Sequence, residues 1–210
     1  MGTVALALAA LAACGEPDHQ YVKNSSVGSY MRVPNDWKVY DEDRYFGSDF
    51  LNLTEFQEAD RKEDAWLVAF DAAPFPSIEN VYTPLTDHPT GVLRVIDPNA
   101  QLADQASPRL LRNFFFPIDE GVDEQNWSVH KVEDLDGDGF RGQRVVVDIP
   151  ASAVLEGGPE DEYFTWDQTM YLREDASKVY LLTISCEAHC YEAYEGDVEA
   201  LVDSWTVRER

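Results

Sequence analysis

Alternating and continuous runs of apolar residues predict strands in both halves of the chain. Ala65–Phe70 is apolar at every position, a pattern typical of a strand that is covered on both faces. Tyr163–Arg173 alternates, with Phe164, Trp166, Met170 and Leu172 on one face. Val179–Ile184 follows after a short turn, and we expect these two strands to pair.

Two further hairpins are predicted from turn residues between alternating segments. Val27–Val33 is followed by the turn sequence Pro34-Asn35-Asp36 and then by Trp37–Tyr40, which predicts a first hairpin. The alternating stretch that starts at Trp127 leads through the turn Asp134–Gly139 to the apolar run Arg144–Ile149, which predicts a second one.

Helical spacing of apolar residues appears at two places. Ser107 is a favourable cap for a helix, and Pro108 is a favourable first residue. We expect this helix to end at Pro117. Near the end of the chain, a buried helical stripe is formed by Tyr194, Val198, Leu201, Val202 and Trp205. The predicted fold class is therefore α+β, an antiparallel sheet with helices packed on it.

The start of the chain is apolar and uncharged from Val4 to Ala13 and stops at Cys14. This run is shorter than the roughly 20 residues of a spanning helix and fits the apolar part of a signal peptide. Leu11-Ala12-Ala13-Cys14 resembles the lipobox of bacterial lipoproteins, in which the chain is cut before the cysteine and acyl groups such as palmitate are attached. An ordinary secretory leader with an incidental cysteine is the alternative.

The lipobox resemblance implies an organisation for the whole chain. Residues 1–13 are expected to be a lipoprotein signal peptide, and residues 14–26 the lipidated Cys14 and a polar tether. Residues 27–210 are expected to form a single α+β domain. The predicted location is the extracytoplasmic face of the cell membrane, held there by the lipid anchor.

The charge of the chain is strongly negative, with 16 Lys and Arg against 40 Asp and Glu and a net charge of −24. Such a surface repels nucleic acids and anionic lipid headgroups, so a nucleic-acid partner is not expected. Solubility explains this acidity better than a functional acidic patch does.

With Cys14 assigned to the lipid, Cys186 and Cys190 remain as a pair. Outside the cytoplasm such a pair usually oxidises, so we predict a structural disulfide at a corner between a strand and a helix. His189 between the two thiols suggests zinc as an alternative. Zinc needs a fourth ligand that the neighbouring sequence does not offer, and oxidation would remove two of the other three.

Asp134, Asp136 and Asp138 alternate before Gly139 and match the first half of a calcium-binding loop. The twelfth position of such a loop holds a glutamate, but Val145 stands there. Asp-Gly is also a favoured hairpin turn. A plain turn is the preferred interpretation, and a weak calcium site remains the alternative.

Motifs of catalysis are not found. The sequence contains no Gly-x-Ser-x-Gly, no His-Glu-x-x-His and no phosphate-binding glycine loop. We therefore expect a protein that is not an enzyme and that has no cofactor apart from the calcium alternative.

Two segments, Ser29–Trp37 and Leu181–Val207, resemble the PsbP-like superfamily, the second of them in the form found in secreted actinobacterial lipoproteins. The resemblance implies a PsbP-like α/β/α sandwich and a scaffold that binds partners rather than turning over substrates. It carries no functional residue to this chain, because the matching positions are fold-determining ones.

The function expected from these observations is that of a membrane-anchored, non-catalytic binding or accessory module of the cell envelope, with a protein or glycan partner at the cell surface. Two alternatives stay open. One is a calcium-stabilised adhesion-type module centred on Asp134, Asp136 and Asp138, and the other is a hydrolase without a sequence signature.

Overall fold

The structure is a computed structural model that describes residues 18–98, 103–104, 107–125, 127–137, 139–155 and 157–208. The predicted signal peptide, Cys14 and the first residues of the predicted tether lie outside the described residues, as does Asp138.

Two antiparallel sheets form the framework of the molecule. One has the strand order β1-β2-β10, and the other has the order β3-β4-β5-β9-β8-β7-β6. The strands are β1 (His19–Asn24), β2 (Ser29–Pro34), β3 (Lys38–Asp41), β4 (Ala65–Asp71), β5 (Thr90–Ile96), β6 (Ser128–Gly137), β7 (Phe140–Pro150), β8 (Tyr163–Arg173), β9 (Val179–Glu187) and β10 (Thr206–Val207).

Helices connect these strands and pack on the larger sheet. They are α1 (Glu42–Phe46), α2 (Glu55–Asp64), α3 (Pro108–Arg112), α4 (Ile118–Gln125) and α5 (Ala188–Ser204), with short 3-10 helices at Asp49–Leu51, Ile78–Tyr82 and Ala151–Ala153. The predicted α+β class, an antiparallel sheet with helices packed on it, is confirmed. In the part of the chain that the structure describes, no helix is both long and apolar enough to cross a bilayer.

One face of the seven-stranded sheet is covered by α5 and the three-stranded sheet. Val68 and Phe70 of β4 share a buried cluster with Met31 of β2 and with Val198 and Leu201 of α5. This continuous cluster is the main core, and burial of its apolar side chains stabilises the packing of the two sheets.

The opposite face is covered in separate patches rather than by one long helix. Near β3 and β4, Leu67 packs with Phe46 of α1 and Ile78. Near the other edge, Val147 packs with Ile118 of α4. A further patch lies where Leu111 of α3 contacts β8 and β9; its other buried members are Met170, Leu172, Val179 and Leu181.

Several predicted elements are confirmed. β4, β8 and β9 lie where the apolar patterns place them, and β8 pairs with β9 in antiparallel register. β4 is covered on both faces, as its continuous apolar run predicts, because Leu67 and Val68 belong to different clusters. The C-terminal helix is also confirmed.

The predicted tether is wrong for residues 19–24. These residues form β1, which pairs with β2 from His19↔Pro34 to Asn24↔Ser29. Val22 is the only apolar side chain of β1 that is buried, so the strand has almost no apolar pattern to reveal it. The folded part of the chain therefore begins several residues before the predicted boundary at Val27.

The predicted first hairpin is also wrong. β2 pairs with β1 and β10, whereas β3 pairs with β4 in the larger sheet. The turn residues Pro34-Asn35-Asp36 lead from one sheet into the other. A turn signal marks where a strand ends but not which strand the next one pairs with.

The helix predicted after Ser107 is shorter than expected. Ser107 caps it, since its hydroxyl accepts from the Leu110 N–H at 3.2 Å, but the helix ends at Arg112. Phe114 and Phe115 then lie outside it. The following helix, α4, is missing from the prediction because its eight residues include four acids and a glycine and only two apolar side chains, Ile118 and Val122.

Candidate functional site

A cleft lies on the patchily covered face of the larger sheet, above its central strands β5 and β9. Its volume is about 330 Å³, within the range of small-molecule binding sites. It exists because the patch near β4 and the patches near β8 do not meet over the middle of the sheet. We refer to it as the central cleft; the residues that line it are Tyr45, Phe46, Leu51, Leu53, Arg61, Leu67, Val81, Thr90, Gly91, Val92, Arg94, Phe115, Trp166, Leu181, Thr183 and Ser185.

The floor of the central cleft is set by the register of β5 and β9. Three cross-strand pairs face it, Thr90↔Ser185, Val92↔Thr183 and Arg94↔Leu181. Alternate residues of a strand share a face, and four residues of strand span about 13 Å. The floor therefore runs from a hydroxyl-bearing end to an arginine-bearing end over about 13 Å.

Aromatic and aliphatic side chains form the two walls. On one side, Tyr45 contacts Tyr82 with their ring centroids 5.0 Å apart, and it lies beside Phe46 and Leu51. On the other side, Phe115 packs edge-on against Trp166 with their centroids 5.5 Å apart. Phe115 is 44% exposed, so this wall presents an aromatic surface to solvent and to the cleft.

The charges at the central cleft are opposite in sign to that of the chain as a whole. Among the described residues, the charged side chains that line it are Arg61 and Arg94. Burial raises the pKa of the Tyr45 hydroxyl, and the positive charge of Arg94 opposes this shift. The charge of Arg94 therefore acts on groups at the cleft.

The lining is suited to binding rather than to acid–base chemistry. Among the described residues that line the cleft there is no His, Cys, Lys, Asp or Glu that could serve as a general base or a strong nucleophile. The three hydroxyls of the floor therefore have no activating base in the lining. Apolar walls with a few polar groups on the floor are typical of ligand pockets.

The predicted disulfide is confirmed. Cys186 and Cys190 are joined with an S–S distance of 2.13 Å, and they connect the end of β9 to the first turn of α5, which is the predicted corner. Both sulfurs are therefore withdrawn as zinc ligands. His189 points instead to the Glu187 carboxylate, with 3.3 Å between Nδ1 and Oε2.

Asp87, Glu187 and His189 bring one potential metal-ligating atom each to within 4.8 Å of one another. Two of these residues are exposed, and such groups occur on acidic surfaces without holding an ion. We assign no metal to this cluster.

The predicted calcium residues lie on a regular hairpin. Asp134 and Asp136 belong to β6, which pairs with β7 up to Gly137↔Phe140. The Asp134 carboxylate accepts from Gln143 Nε2 at 2.7 Å. Asp138 lies outside the described residues, and calcium at this position stays a prediction.

The remaining histidines lie outside the central cleft. His19 is in β1 rather than in a tether. The ring nitrogen Nδ1 of His88 lies 2.9 Å from the Tyr194 hydroxyl, and His130 Nε2 lies 2.7 Å from Asp148 Oδ2. These contacts hold loops and strands in place and do not converge on one reacting position.

Sequence reasoning missed the central cleft. Its arginines come from α2 and β5. Tyr45 and Phe46 come from a segment for which no element is predicted, whereas Phe115 and Trp166 come from the predicted helix and the predicted strand Tyr163–Arg173. A signal was present in β5, where Arg94 interrupts an otherwise apolar and small-residue strand. A charged side chain on a central strand points either to a buried ion pair or to a cavity.

No protein-family model matches the sequence, and no curated protein matches it. Solved structures do match in fold. The chain is similar to the PsbP protein CyanoP of Synechocystis sp. PCC 6803, with 13% identity, a TM-score of 0.51 and coverage of 96% of this chain and 99% of that one.

Two other solved structures match less well. The Ran-binding protein Mog1p of Saccharomyces cerevisiae has 11% identity and a TM-score of 0.47, over 90% of this chain and 95% of that one. LpqN of Mycobacterium tuberculosis, a protein involved in cell envelope biogenesis, has 11% identity and a TM-score of 0.46, over 91% of each chain. At these identities the similarity shows the fold alone, and this chain has the α+β fold of PsbP-like proteins.

Proposed function

We propose that this protein is a non-catalytic binding module of the cell envelope, held at the membrane surface by a lipid on Cys14, and that it binds a small apolar ligand in the central cleft. The observation that carries the proposal is the cleft itself, an apolar cavity of about 330 Å³ above the central strands of the sheet.

The chemistry of the lining supports binding without turnover. An apolar ligand in the cleft would contact the aromatic walls at Tyr45 and Trp166, and transferring its surface from water would provide the main driving force. The hydroxyls of Thr183 and Ser185 offer hydrogen bonds that orient it. The described residues of the lining supply no general base that could activate a nucleophile.

The lipid anchor is supported by the sequence Leu11-Ala12-Ala13-Cys14, and the position of β1 limits how far an anchored domain could reach from the membrane. Because β1 begins at His19, the chain between Cys14 and His19 spans at most about 18 Å. An anchored protein would therefore hold its three-stranded sheet close to the membrane surface, closer than a tether reaching residue 26 would allow.

The binding proposal is tested with N-phenyl-1-naphthylamine, an uncharged apolar dye whose fluorescence rises in apolar sites. The protein used is the full chain with Cys14→Ser, which cannot be lipidated. We expect the dye to bind, and we expect Val92→Trp, which fills the floor of the cleft, to weaken binding by about tenfold or more.

The matched control is Val132→Trp, which adds the same side chain at an exposed position of β6. It should leave dye binding unchanged. Val81→Trp fills the cleft from its wall and keeps the test valid if the floor variant does not fold. Equal dye binding by the parent and a folded cleft-filling variant, or no binding by the parent, would contradict the proposal.

The anchor is tested by expressing the chain in a bacterium with a lipoprotein-processing pathway. We expect the mature protein to begin at Cys14, to carry acyl groups by mass spectrometry and to sediment with membranes, whereas Cys14→Ser should remain in the soluble fraction. A parent protein without acyl groups, distributed like the variant, would refute this part of the proposal.

A further inference from the structure

The loop after β4 carries an exposed apolar tip, Pro74-Phe75-Pro76, which we refer to as the Phe75 tip. We propose that Phe75 inserts into the apolar layer of the bilayer that carries the lipid of Cys14 and so forms a second contact with the membrane. This inference rests on the proposed lipid anchor.

The first argument is the exposure of the tip. Phe75 is 91% exposed, more than any other large apolar side chain among the described residues. Pro74 and Pro76 on either side of it are exposed as well, and each proline ring fixes its own φ angle. The tip thus presents three consecutive apolar residues to solvent on a stiffened backbone.

The second argument is that the loop is held in this conformation by a buried group. Asp71, the last residue of β4, is fully buried. Its carboxylate accepts from the N–H of Ala73, from the N–H of Ser77 and from Asn80 Nδ2, each at 2.8 Å. A buried carboxylate is costly unless it is hydrogen-bonded in this way. The base of the loop is therefore fixed, and Phe75 projects from it in a preorganised position.

The third argument is where the chain enters the fold. Gln20 of β1 donates through Nε2 to the backbone carbonyl of Trp37 at 2.6 Å. The next residue, Lys38, begins β3 and pairs with Asp71. The start of β1 and the base of the loop therefore lie at the same end of the two sheets.

A lipid on Cys14 would bring this end of the molecule to the membrane. The four residues from Cys14 to Asp18 span at most about 14 Å, whereas the other end of β1, at Asn24, lies about 17 Å further along the strand. The Phe75 tip is thus on the side of the molecule that the anchor turns towards the bilayer.

The charge of the chain decides how the tip contacts lipid. A net charge of −24 repels anionic headgroups, so attraction between charges does not hold this end of the molecule on the surface. Burial of an apolar side chain is favourable whatever the charge of the headgroups. Phe75 supplies such a side chain, and the bilayer supplies the apolar layer within its reach.

The test uses the full chain, processed and acylated at Cys14 and reconstituted into phosphatidylcholine vesicles. The fluorophore nitrobenzoxadiazole is attached at Pro76→Cys, beside Phe75. The introduced thiol is the free one, because Cys14 carries the lipid and Cys186 is joined to Cys190. We expect the emission of the label to shift to the blue and to be quenched by brominated lipid.

Two further proteins assign this signal to Phe75. Phe75→Ser in the labelled chain should lower the ratio of inserted to water-exposed label about tenfold or more, because the apolar ring that drives insertion is lost. The position is exposed, so the variant should fold. Ser25→Cys places the same label at an exposed position beyond the far end of β1, and its emission should be that of a label in water.

Mass spectrometry of the same samples separates this inference from the proposed anchor. If the chain is acylated but the label at residue 76 emits as in water, or if Phe75→Ser leaves the signal unchanged, insertion is overturned and the anchor stands. A label that is shielded in native membranes but not in phosphatidylcholine vesicles would assign the tip to a protein partner and overturn the lipid contact. A chain without acyl groups would refute the anchor and, with it, this inference.

Discussion

Asp167 and Arg144 form the most deeply buried ion pair among the described residues, with side chains 1% and 3% exposed. Arg144 Nε and Nη2 donate to Asp167 Oδ1 and Oδ2 at 3.0 and 2.6 Å, and the Tyr191 hydroxyl donates to Oδ2 at 2.7 Å. Burial and the neighbouring carboxylate raise the pKa of Tyr191, so its hydroxyl keeps its proton and remains a donor. The pair thus fixes α5 against β7 and β8.

Asp167→Asn tests the contribution of this pair. The substitution leaves the charge of Arg144 buried with only Glu199 to balance it, and breaking a buried pair in this way costs about 3–5 kcal/mol. We expect a loss of this size in the free energy of unfolding measured with urea. Asp97→Asn breaks an exposed pair with Lys178 and should cost at most about 1 kcal/mol; equal losses in the two variants would contradict the assignment.

Glu199 adds a dependence on pH to the same network. Burial alone would raise the pKa of Glu199, but hydrogen bonds and charges from Arg144 and Lys131 outweigh it and hold the pKa below its usual value of 4.5. Because the pKa of Glu199 is lower in the folded state than in the unfolded state, its ionised form stabilises the folded protein. This contribution to the free energy of unfolding is complete above the unfolded-state pKa and is lost as the pH falls through the folded-state pKa.

We therefore expect Glu199→Gln to be less stable than the parent at pH 7 and this difference to shrink as the pH falls below about 4.5. Urea unfolding at several pH values measures it. Glu124→Gln removes one exposed carboxylate from α4, outside this network, and controls for the change in net charge. If the difference in the free energy of unfolding between Glu199→Gln and the parent stayed constant from pH 7 to pH 3, the stability would not depend on the ionisation of Glu199, and the prediction would be refuted.

At the scale of elements, the disulfide at the corner between β9 and α5 stabilises the folded protein by an amount that can be calculated. It closes a loop of only five residues, and the chain-entropy model gives about 2 kcal/mol for a loop of that size. Reduction with dithiothreitol should therefore lower the free energy of unfolding of the parent by about 2 kcal/mol. The stability of a variant with Cys186→Ala and Cys190→Ala should not change with the reductant. If the stability of the parent did not change either, the disulfide would contribute nothing to the free energy of unfolding.

The elements that could be predicted from sequence are those that carry many buried apolar side chains. β9 is buried at every position from Val179 to Cys186, so its pattern is unambiguous. β1 could not be predicted, because it is stabilised by backbone hydrogen bonds to β2 and contributes one buried side chain. The helix after Ser107 was predicted at its start, where the local cap decides it. Its end was not predicted, because it depends on the packing of Phe115 and Phe116 against Trp166 and of Phe116 against Phe164.

At the scale of the whole molecule, the central cleft is a consequence of how the sheet is covered. A long helix and a second sheet pack on one face, whereas the other face is covered by short segments from residues 42–82 and 107–125. A gap between two such coverings depends on their relative placement and not on any one segment, so no local pattern predicts it. The disulfide, by contrast, followed from the number and spacing of the cysteines together with the expected location outside the cytoplasm.

The central claim, that the cleft above β5 and β9 is the binding site, is tested most directly by nuclear magnetic resonance. The ¹⁵N-labelled full chain with Cys14→Ser would be titrated with N-phenyl-1-naphthylamine. We predict that the largest shifts occur at the amides of β5 and β9 and at the indole of Trp166, while β1, β2 and β10 remain unchanged. Shifts concentrated in the three-stranded sheet or on the exposed side of α5, with β5 and β9 unaffected, would contradict the claim.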